Sequence, residues 1–597
     1  MRHITQRHII ICLIYVVLLT WMWLRPLQPL SVDIGGDLRS GLRDLDGSYV
    51  RGFWPSEPRP WHPSQGPALR WSDARWAVMW PHTGTGLWKA QLRIDLSGRP
   101  ATEPATVTWE SPPAGQSVLP PSPRIYTMLV RTTNTDSPTI RATVNTFRVS
   151  NDSRALGIAL TQIRLDAINR STPGLGFVWW LVCLGWGAWL LRHHTWLGIA
   201  ISLLATLCMG AFPTWVALHT ESGLMLTLTA FAISVVAWHL RPSQWLTIQA
   251  LVVLCWGQLL ALWSPWLISS DIGMHVRMLK QVLSGSLLFT AQLPCEAGAY
   301  TSPYPPAVYV LLSPFALLSN DADYLPLLMM TAAMLCHAGA VWYMADVLFS
   351  RPVLANYRMW FVVVACVNFP LFRATHIGEM SNAIAHGLVT LACISWLDQR
   401  QRIWVPVTLT SVALLAHTGN SITLSMMLGI LAILHVVRYR HIPTWRRLVT
   451  LAIPVGVTLL YYANFTHLIG QAPGYAGCPP ESTLFSRLSS LVHVVPFVLV
   501  TFAVVGIVWV RDYPQFVAML AGFGAALVSI AMLTISTQTV RWGISVIPFL
   551  AIPIAYLMVR MWRHGTAGRV LSITSLSAWI WLTYADMWTR IIQYLHD

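Results

Sequence analysis

Charged residues are scarce in this sequence. Only 11% of its 597 residues are Asp, Glu, Lys or Arg, against about 25% in soluble globular domains. Together with 55% hydrophobic residues and a mean hydropathy of +0.53, this scarcity excludes a soluble enzyme. The few basic residues lie mainly in short gaps between apolar runs, where they orient a chain in a membrane, and this excludes a nucleic-acid-binding protein. No internal repeat stands out, so a repeat architecture is not indicated either.

The N-terminal region divides into an anchor and a polar domain. A basic start is followed by an apolar run over 9–24 without a small-residue cleavage site, which predicts a retained signal anchor over 1–25 with its N-terminus inside. Residues 26–172 contain more charge and proline and no run able to cross a membrane. Their alternating stretches predict an extramembrane β-sandwich, with strands near 68–71, 76–80, 88–95, 106–109, 125–131, 140–149 and 156–165.

Tryptophan is dense in this polar domain, for example at Trp54, Trp71 and Trp109. An exposed tryptophan face can stack on a sugar ring, whereas in a sandwich tryptophans usually lie in the core or at the rim. The second interpretation is favoured, and sugar binding is kept as the alternative.

The rest of the chain predicts a polytopic α-helical membrane protein. After residue 173 we count fourteen apolar spans, about fifteen with the anchor. They divide into accessory membrane helices over 173–264, an outer loop with interfacial helices over 265–323 and a membrane helical core over 324–597. The apolar stretch 305–318 is too short to cross and favours an interfacial or re-entrant helix. Inner gaps then hold 14 arginines and outer gaps six basic residues, as the positive-inside rule requires.

This topology predicts a multi-pass protein of the plasma (inner) membrane with a cytoplasmic N-terminus. The β domain and several polar gaps then lie outside. Ionisable residues at membrane depth are functional candidates by default, although outer loops also meet water and need no purpose for every polar residue. The candidates for substrate binding are His275, Glu296, His376, Glu379, His417 and Arg541.

Asp271 is the candidate catalytic residue. Apolar residues at helical spacing over 272–284, followed by Gly285, predict a helix that begins at Asp271. Its carboxylate therefore either caps the helix or takes a proton from an attacking hydroxyl at the outer mouth of a span. His275 follows one turn later on the same face.

Other candidates also have two interpretations. His376 and Glu379 have a spacing that suits metal ligation, but a polar face lining a cavity is favoured; no metal ligand is assigned, and a divalent metal is the one cofactor left open. His417 lies in a short turn, where it either lines a cavity or caps the end of a helix. Arg541 either binds a phosphate with its planar guanidinium or extends to the interface.

Seven of the nine cysteines lie in predicted spans, and only Cys295 and Cys478 lie in loops, both external. An oxidising outer compartment allows a disulfide between them, which we therefore predict.

The features that point to a known family are the anchor, the many spans, an outer Asp271 after a span, a first outer loop with Tyr304-Pro305-Pro306 and a late Arg541. In these features the chain resembles the polyprenyl-phosphate-dependent glycosyltransferases of the GT-C fold. The resemblance covers roughly residues 245–590. The front portion, with 49–54 and 69–71, resembles jelly-roll, carbohydrate-binding-like domains of some bacterial membrane proteins of that type. In the family the first outer loop carries an acidic base or metal ligand, which matches Asp271. That loop usually carries a second carboxylate or an acidic pair, whereas here Ile272 follows Asp271 and Glu296 is distant.

The resemblance implies an inverting transfer of a sugar from a lipid-linked donor to an acceptor hydroxyl at the outer membrane face. Its partners would be the donor, a glycan, lipid or protein acceptor, and membrane lipids. Three alternatives remain: a lipid-linked oligosaccharide polymerase or ligase, a transporter of lipid-linked glycans, and a non-catalytic glycan-binding scaffold.

Overall fold

The computed structural model describes most of the chain in two compact units. They are Met1–Ile233 with Trp263–Leu267, and Ser234–Leu262 with Ile268–Asp597. The described residues are 17, 30–34, 49–54, 57, 69–111, 114–132, 137–149, 152–193, 195–211, 213–262, 270–295, 298–318, 324–376, 378–398, 400–439, 445–468, 497–510, 512–532 and 543–596.

Among its described residues, the first unit contains an antiparallel sheet of nine strands. They are β1 (Leu30–Asp33), β2 (Val50–Phe53), β3 (Arg70–Met79), β4 (Gly84–Ile94), β5 (Ala105–Trp109), β6 (Gly115–Leu119), β7 (Arg124–Thr132), β8 (Thr139–Val144) and β9 (Ala159–Pro173). The spatial order is β6-β5-β8-β3-β9-β4-β7, with β1 beside β9 and β2 beside β3.

Alternation of side chains explains how this sheet forms its core. Along β4, Trp88, Ala90 and Leu92 are buried and alternate with more exposed positions, as a strand with one face inward requires. Strand β3 changes partner along its length: Arg70 and Trp71 pair with β9, and the stretch from Arg75 onward pairs with β8. The sheet therefore curls around a shared core, and the predicted sandwich is not confirmed.

The described tryptophans of the β domain lie mostly inside the sheet. Five of them are buried: Trp71, Trp76, Trp80, Trp88 and Trp109. Some meet other rings edge to face, as Trp76 and Trp109 do at 5.7 Å, a geometry that stabilises aromatic cores. These five positions support the interpretation that the tryptophans of this domain belong to its core.

Helices make up most of the remainder. They are α1 (Leu175–His193), α2 (Thr195–Ala211), α3 (Pro213–Leu240), α4 (Trp245–Leu262), α5 (Ser270–Leu283), α6 (Ala307–Ala316), α7 (Tyr324–Leu348), α8 (Ala355–Cys366), α9 (Phe369–His376), α10 (Met380–Leu397), α11 (Trp404–Leu414), α12 (Thr418–Tyr439), α13 (Trp445–Ala463), α14 (Phe497–Ile507), α15 (Tyr513–Met532), α16 (Val546–Arg563) and α17 (Gly565–His596).

Eight of the described helical segments are long and apolar enough to cross a membrane, and further helices are apolar but shorter. By length and composition the chain is thus a multi-pass membrane protein. The total of about fifteen spans and the orientation in the membrane stay predictions. One boundary differs from expectation: the sequence predicts spans over 196–218 and 222–240, whereas α3 is continuous over Pro213–Leu240.

Helix α10 lies at the centre of the second unit. It packs against α7, α11 and α12, and nearly all of its residues are buried. Helices α8 and α9 share one span-length segment that breaks at Val367 and Asn368, because Pro370 lacks an N–H and restricts Phe369. The Asn368 side chain caps α9 by accepting from the Leu371 N–H at 3.0 Å.

The segment predicted as an outer loop contains two helices and a hairpin. Helix α5 and helix α6 flank β10 (Phe289–Cys295) and β11 (Gly298–Tyr304), which pair antiparallel. The hairpin is not predicted by the sequence. Helix α6 has ten residues, which corresponds to about 15 Å, half the thickness of a bilayer core.

We expect Gly52→Ala to destabilise the β domain. Gly52 has a φ of +69°, and an added Cβ would lie 2.1 Å from the backbone oxygen of Arg75. A strained backbone of this kind costs about 1–3 kcal/mol before the clash is added. The measurement is the temperature at which the β domain of the purified full-length protein becomes protease-sensitive.

Gly115→Ala is the matched control, since a Cβ there would meet no atom within 4 Å. It should leave this temperature unchanged or raise it slightly. Equal behaviour of the two variants would contradict the assigned conformation of Gly52.

Candidate functional site

Helix α5 positions the two candidates nearest to the predicted chemistry. It begins at Ser270, so Asp271 lies in its first turn, where a carboxylate is favoured by the free amides. The helix ends as the sequence predicts. Gly285 has a φ of +90°, its N–H donates to Val282 and the Ser286 N–H donates to Gln281, which together form a Schellman motif.

His275 lies one turn after Asp271 and is buried, at 2% exposure. Its Nδ1 is 2.7 Å from the Tyr309 hydroxyl of α6, and that hydroxyl also contacts the Met278 sulfur at 3.2 Å. The two rings stack at a centroid distance of 6.2 Å. These contacts fix α5 against α6 and hold the His275 imidazole in place.

Tyr304 is the common neighbour of the cluster. It ends β11 because Pro305 and Pro306 cannot donate to a sheet. Its hydroxyl is 2.7 Å from the Ser381 hydroxyl of α10, and its backbone oxygen accepts from the Tyr461 hydroxyl of α13 at 2.9 Å. Tyr304 thereby joins the hairpin to two helices distant in sequence.

The rings around Tyr304 complete this cluster. His275 and Tyr309 each lie 6.3 Å from its ring centroid, and His417 meets it edge-on at 6.0 Å. We call His275, Tyr304, Tyr309, Ser381 and His417 the hydroxyl–imidazole cluster. Its groups can donate and accept hydrogen bonds, which is what a polar ligand at a membrane surface requires.

His417 caps helix α12. Its Nδ1 accepts from the Gly419 N–H at 3.2 Å, the geometry of an N-cap residue. Of the two roles that the sequence leaves open, helix capping is therefore observed. Substrate binding by His417 stays a prediction.

Glu379 and Asn382 form a second polar group at the start of α10. Both are buried, and the Asn382 amide donates to Glu379 Oε2 at 3.2 Å. The Asn420 amide of α12 lies 3.5 Å from the Asn382 backbone oxygen. Gly378, with a φ of +91°, allows the tight turn from α9 into α10 that brings Glu379 to this point.

Two further buried histidines of the same unit contact other segments. His386 Nδ1 is 2.6 Å from the Ser545 hydroxyl at the start of α16. His337 Nε2 lies 3.1 Å from the Ala365 oxygen, and Gln258 donates to the Cys366 oxygen at 2.7 Å. His337 and Gln258 thereby satisfy two carbonyls at the end of α8 that the helix break leaves without their usual N–H partners. Buried backbone groups in an apolar protein need such partners.

Several predicted residues fall partly or wholly outside the described structure. Glu296 lies between β10 and β11, and Arg541 lies five residues before α16; both are outside the described residues, as is Cys478. Asp271, Cys295 and His376 are described in their backbone only. The roles of all six, including the disulfide, stay predictions.

The sequence does not single out Tyr309, Ser381 or Tyr461 as site residues. Tyr304 is noted only as part of a motif with two prolines. A signal for Tyr309 was available: it lies in a short apolar helix too short to cross a membrane, where a hydroxyl needs a partner inside the protein. Among the described residues, no group of three or more His, Cys, Asp or Glu side chains could hold a metal ion.

Comparisons with known proteins give one structural similarity to report. No protein-family model matches the chain, and no curated protein matches it. The crystal structure of ArnT from Cupriavidus metallidurans bound to undecaprenyl phosphate is 14% identical and matches 55% of this chain, with a TM-score of 0.36. The match spans 63% of the ArnT chain, less than two thirds of its length. A TM-score this low does not establish a shared fold.

We expect Tyr309→Phe to destabilise the second unit. The change removes the hydroxyl that contacts His275 in a buried site, and the loss of one hydrogen bond by a buried polar group costs about 1–3 kcal/mol. The measurement is the thermal unfolding midpoint of the purified full-length protein in detergent.

Tyr324→Phe is the matched control. The Tyr324 hydroxyl donates to the Phe315 oxygen at 2.9 Å in an exposed position, where water replaces the bond at little cost. An equal or larger loss for the Tyr324 variant would contradict the role assigned to Tyr309.

Proposed function

We propose that the protein transfers a sugar from a polyprenyl-phosphate-linked donor to an acceptor hydroxyl at the outer face of the membrane, with inversion at the anomeric carbon. The observation that carries the proposal is the position of Asp271 in the first turn of α5, one turn before His275 enters the buried hydroxyl–imidazole cluster. A carboxylate and a fixed set of hydrogen-bonding groups thus share one helix end.

In the proposed reaction the Asp271 carboxylate takes the proton of the acceptor hydroxyl. The acceptor oxygen attacks the anomeric carbon, forms the new glycosidic bond and breaks the bond to the phosphate oxygen on the opposite face. The polyprenyl phosphate leaves with the electron pair. Because phosphate is a good leaving group, positioning and charge stabilisation would supply most of the rate.

Arg541 is proposed to bind the phosphate of the donor. A guanidinium offers two parallel donors to phosphate oxygens and remains charged at any relevant pH. The lipid chain would stay in the bilayer while the phosphate reaches Arg541 from the side. A guanidinium performs this role without a divalent metal.

The alternatives fit the described residues less well. A transporter would need a polar path through the membrane, but His337 and His386 each engage a local partner, Ala365 and Ser545. A glycan-binding scaffold would need exposed aromatic faces, and five tryptophans of the β domain are buried. A lipid-linked oligosaccharide polymerase or ligase would use the same site with two lipid-linked substrates.

We expect Asp271→Asn to abolish sugar transfer, because the amide cannot accept the proton. The loss should be at least about 100-fold, with unchanged membrane insertion and unfolding temperature. The measurement is transfer from a polyprenyl-phosphate-linked sugar by purified protein in lipid nanodiscs.

Asp166→Asn in the β domain is the control for this experiment, since Asp166 pairs only with an exposed Arg164 among the contacts described for it. It should retain full transfer. Full activity of the Asp271 variant would remove Asp271 from the site.

We expect Arg541→Ala to weaken binding of the lipid donor more than the chemical step. Loss of a charge-assisted phosphate contact should raise KM for the donor roughly tenfold or more. Steady-state kinetics against donor concentration measure this effect. Arg560→Ala, at the opposite end of α16, should leave KM unchanged; an unchanged KM for Arg541→Ala would exclude phosphate binding by that residue.

A further inference from the structure

Helix α12 carries two buried side chains whose oxygen atoms have no partner among the described residues. They are Asn420 Oδ1 and Thr423 Oγ1, on side chains that are 0% and 1% exposed. The great majority of buried polar side-chain atoms in native proteins are hydrogen-bonded. Two such atoms close together therefore require an explanation.

Asn420 extends the polar group at the start of α10, and Thr423 follows it on α12. Asn420 and Thr423 are three positions apart, so they lie on the same face of α12. The Asn420 amide is directed at the Asn382 backbone oxygen, 3.5 Å away, and Asn382 in turn donates to Glu379. We call Glu379, Asn382, Asn420 and Thr423 the acceptor row.

Reversal of the Asn420 amide would not give its oxygen a partner. Reversing it would direct Oδ1 at the Asn382 oxygen, so two acceptors would face each other, and would leave the amide N–H₂ group without that partner. The observed orientation is thus the favourable one, and it leaves an acceptor unused.

The hydrogen-bonding groups of the acceptor row determine which class of ligand it can bind. Its carboxylate and amide oxygens accept hydrogen bonds, and the Thr423 hydroxyl can also do so, so the ligand must supply several donors. A phosphate group supplies acceptors and would be repelled by the Glu379 carboxylate. A calcium ion would need six to eight oxygen ligands, and the row contains one carboxylate. A sugar ring, with several hydroxyl groups, meets the requirement.

We propose that Asn420 and Thr423, together with Glu379, bind hydroxyl groups of the sugar in the lipid-linked donor. This inference rests on the proposed function and deepens it, because it separates sugar recognition at the acceptor row from phosphate recognition at Arg541. Without ligand, the two oxygen atoms stay unsatisfied and lower stability, a common cost of a binding site.

The inference predicts opposite effects of one substitution on stability and on recognition. Thr423→Val keeps the shape of the side chain and removes the hydroxyl, so it should raise the unfolding temperature of the ligand-free protein. The same change should weaken recognition of the sugar. A purely structural role for the hydroxyl would not raise stability when it is removed.

The experiment measures unfolding of the full-length protein in lipid nanodiscs with two kinds of lipid. One is undecaprenyl phosphate; the other is the same lipid linked to glucose, mannose, galactose or N-acetylglucosamine, each tested separately. We expect at least one sugar-linked lipid to raise the unfolding temperature more than undecaprenyl phosphate does. Thr423→Val and Asn420→Leu should keep the shift caused by undecaprenyl phosphate and bind the sugar-linked lipid roughly threefold to thirtyfold more weakly.

Thr410→Val is the matched control, because Thr410 on α11 also has a buried hydroxyl without a partner among the described residues. It should raise the unfolding temperature and leave the sugar-dependent shift unchanged. A retained shift in the Thr423 and Asn420 variants would show that their oxygens hold water only and would overturn the inference.

The two hypotheses fail in different ways. If undecaprenyl phosphate shifts unfolding and no sugar-linked lipid adds to that shift, the acceptor row does not bind sugar, and the lipid-donor proposal survives. If no lipid shifts unfolding, the proposed function fails and this inference fails with it.

Discussion

The candidate site depends on one constraint: a polar group buried in an apolar helical body must find its partner within the protein. The hydroxyl and backbone oxygen of Tyr304 meet this need with Ser381 and Tyr461. The imidazole of His275 meets it with Tyr309. Because these partners belong to α10, α13 and α6, satisfying them brings together residues up to 157 positions apart and holds α5 in place.

Much of the fold could be predicted where a single periodicity dominates. Apolar spacing and Gly285 predict a helix after Asp271, and α5 is observed there with Gly285 just past its C-terminal end. The hairpin of β10 and β11 was missed because prolines at 294 and 303 break the usual strand pattern. Alternating residues predict the strands of the curled sheet but not how the strands pair. The reason is that β3 changes partner along its length.

The site was predictable only in part. Charged and imidazole side chains at the predicted outer ends of spans stand out in the sequence, and they single out His275, Glu379 and His417. Hydroxyl and amide side chains such as Ser381 and Asn420 do not, because they are equally common at turns and helix starts. Their importance appears only when burial and contacts are known: Ser381 meets Tyr304, while Asn420 leaves an oxygen unsatisfied.

The most direct test of the account is an experimental structure of the full-length protein with undecaprenyl phosphate bound. The account predicts that the phosphate contacts the Arg541 guanidinium and that the Asp271 carboxylate faces the same outer cavity, with room for a sugar beside the acceptor row. A structure that places Asp271 and Arg541 at opposite membrane surfaces, or separates them by packed side chains, would contradict it.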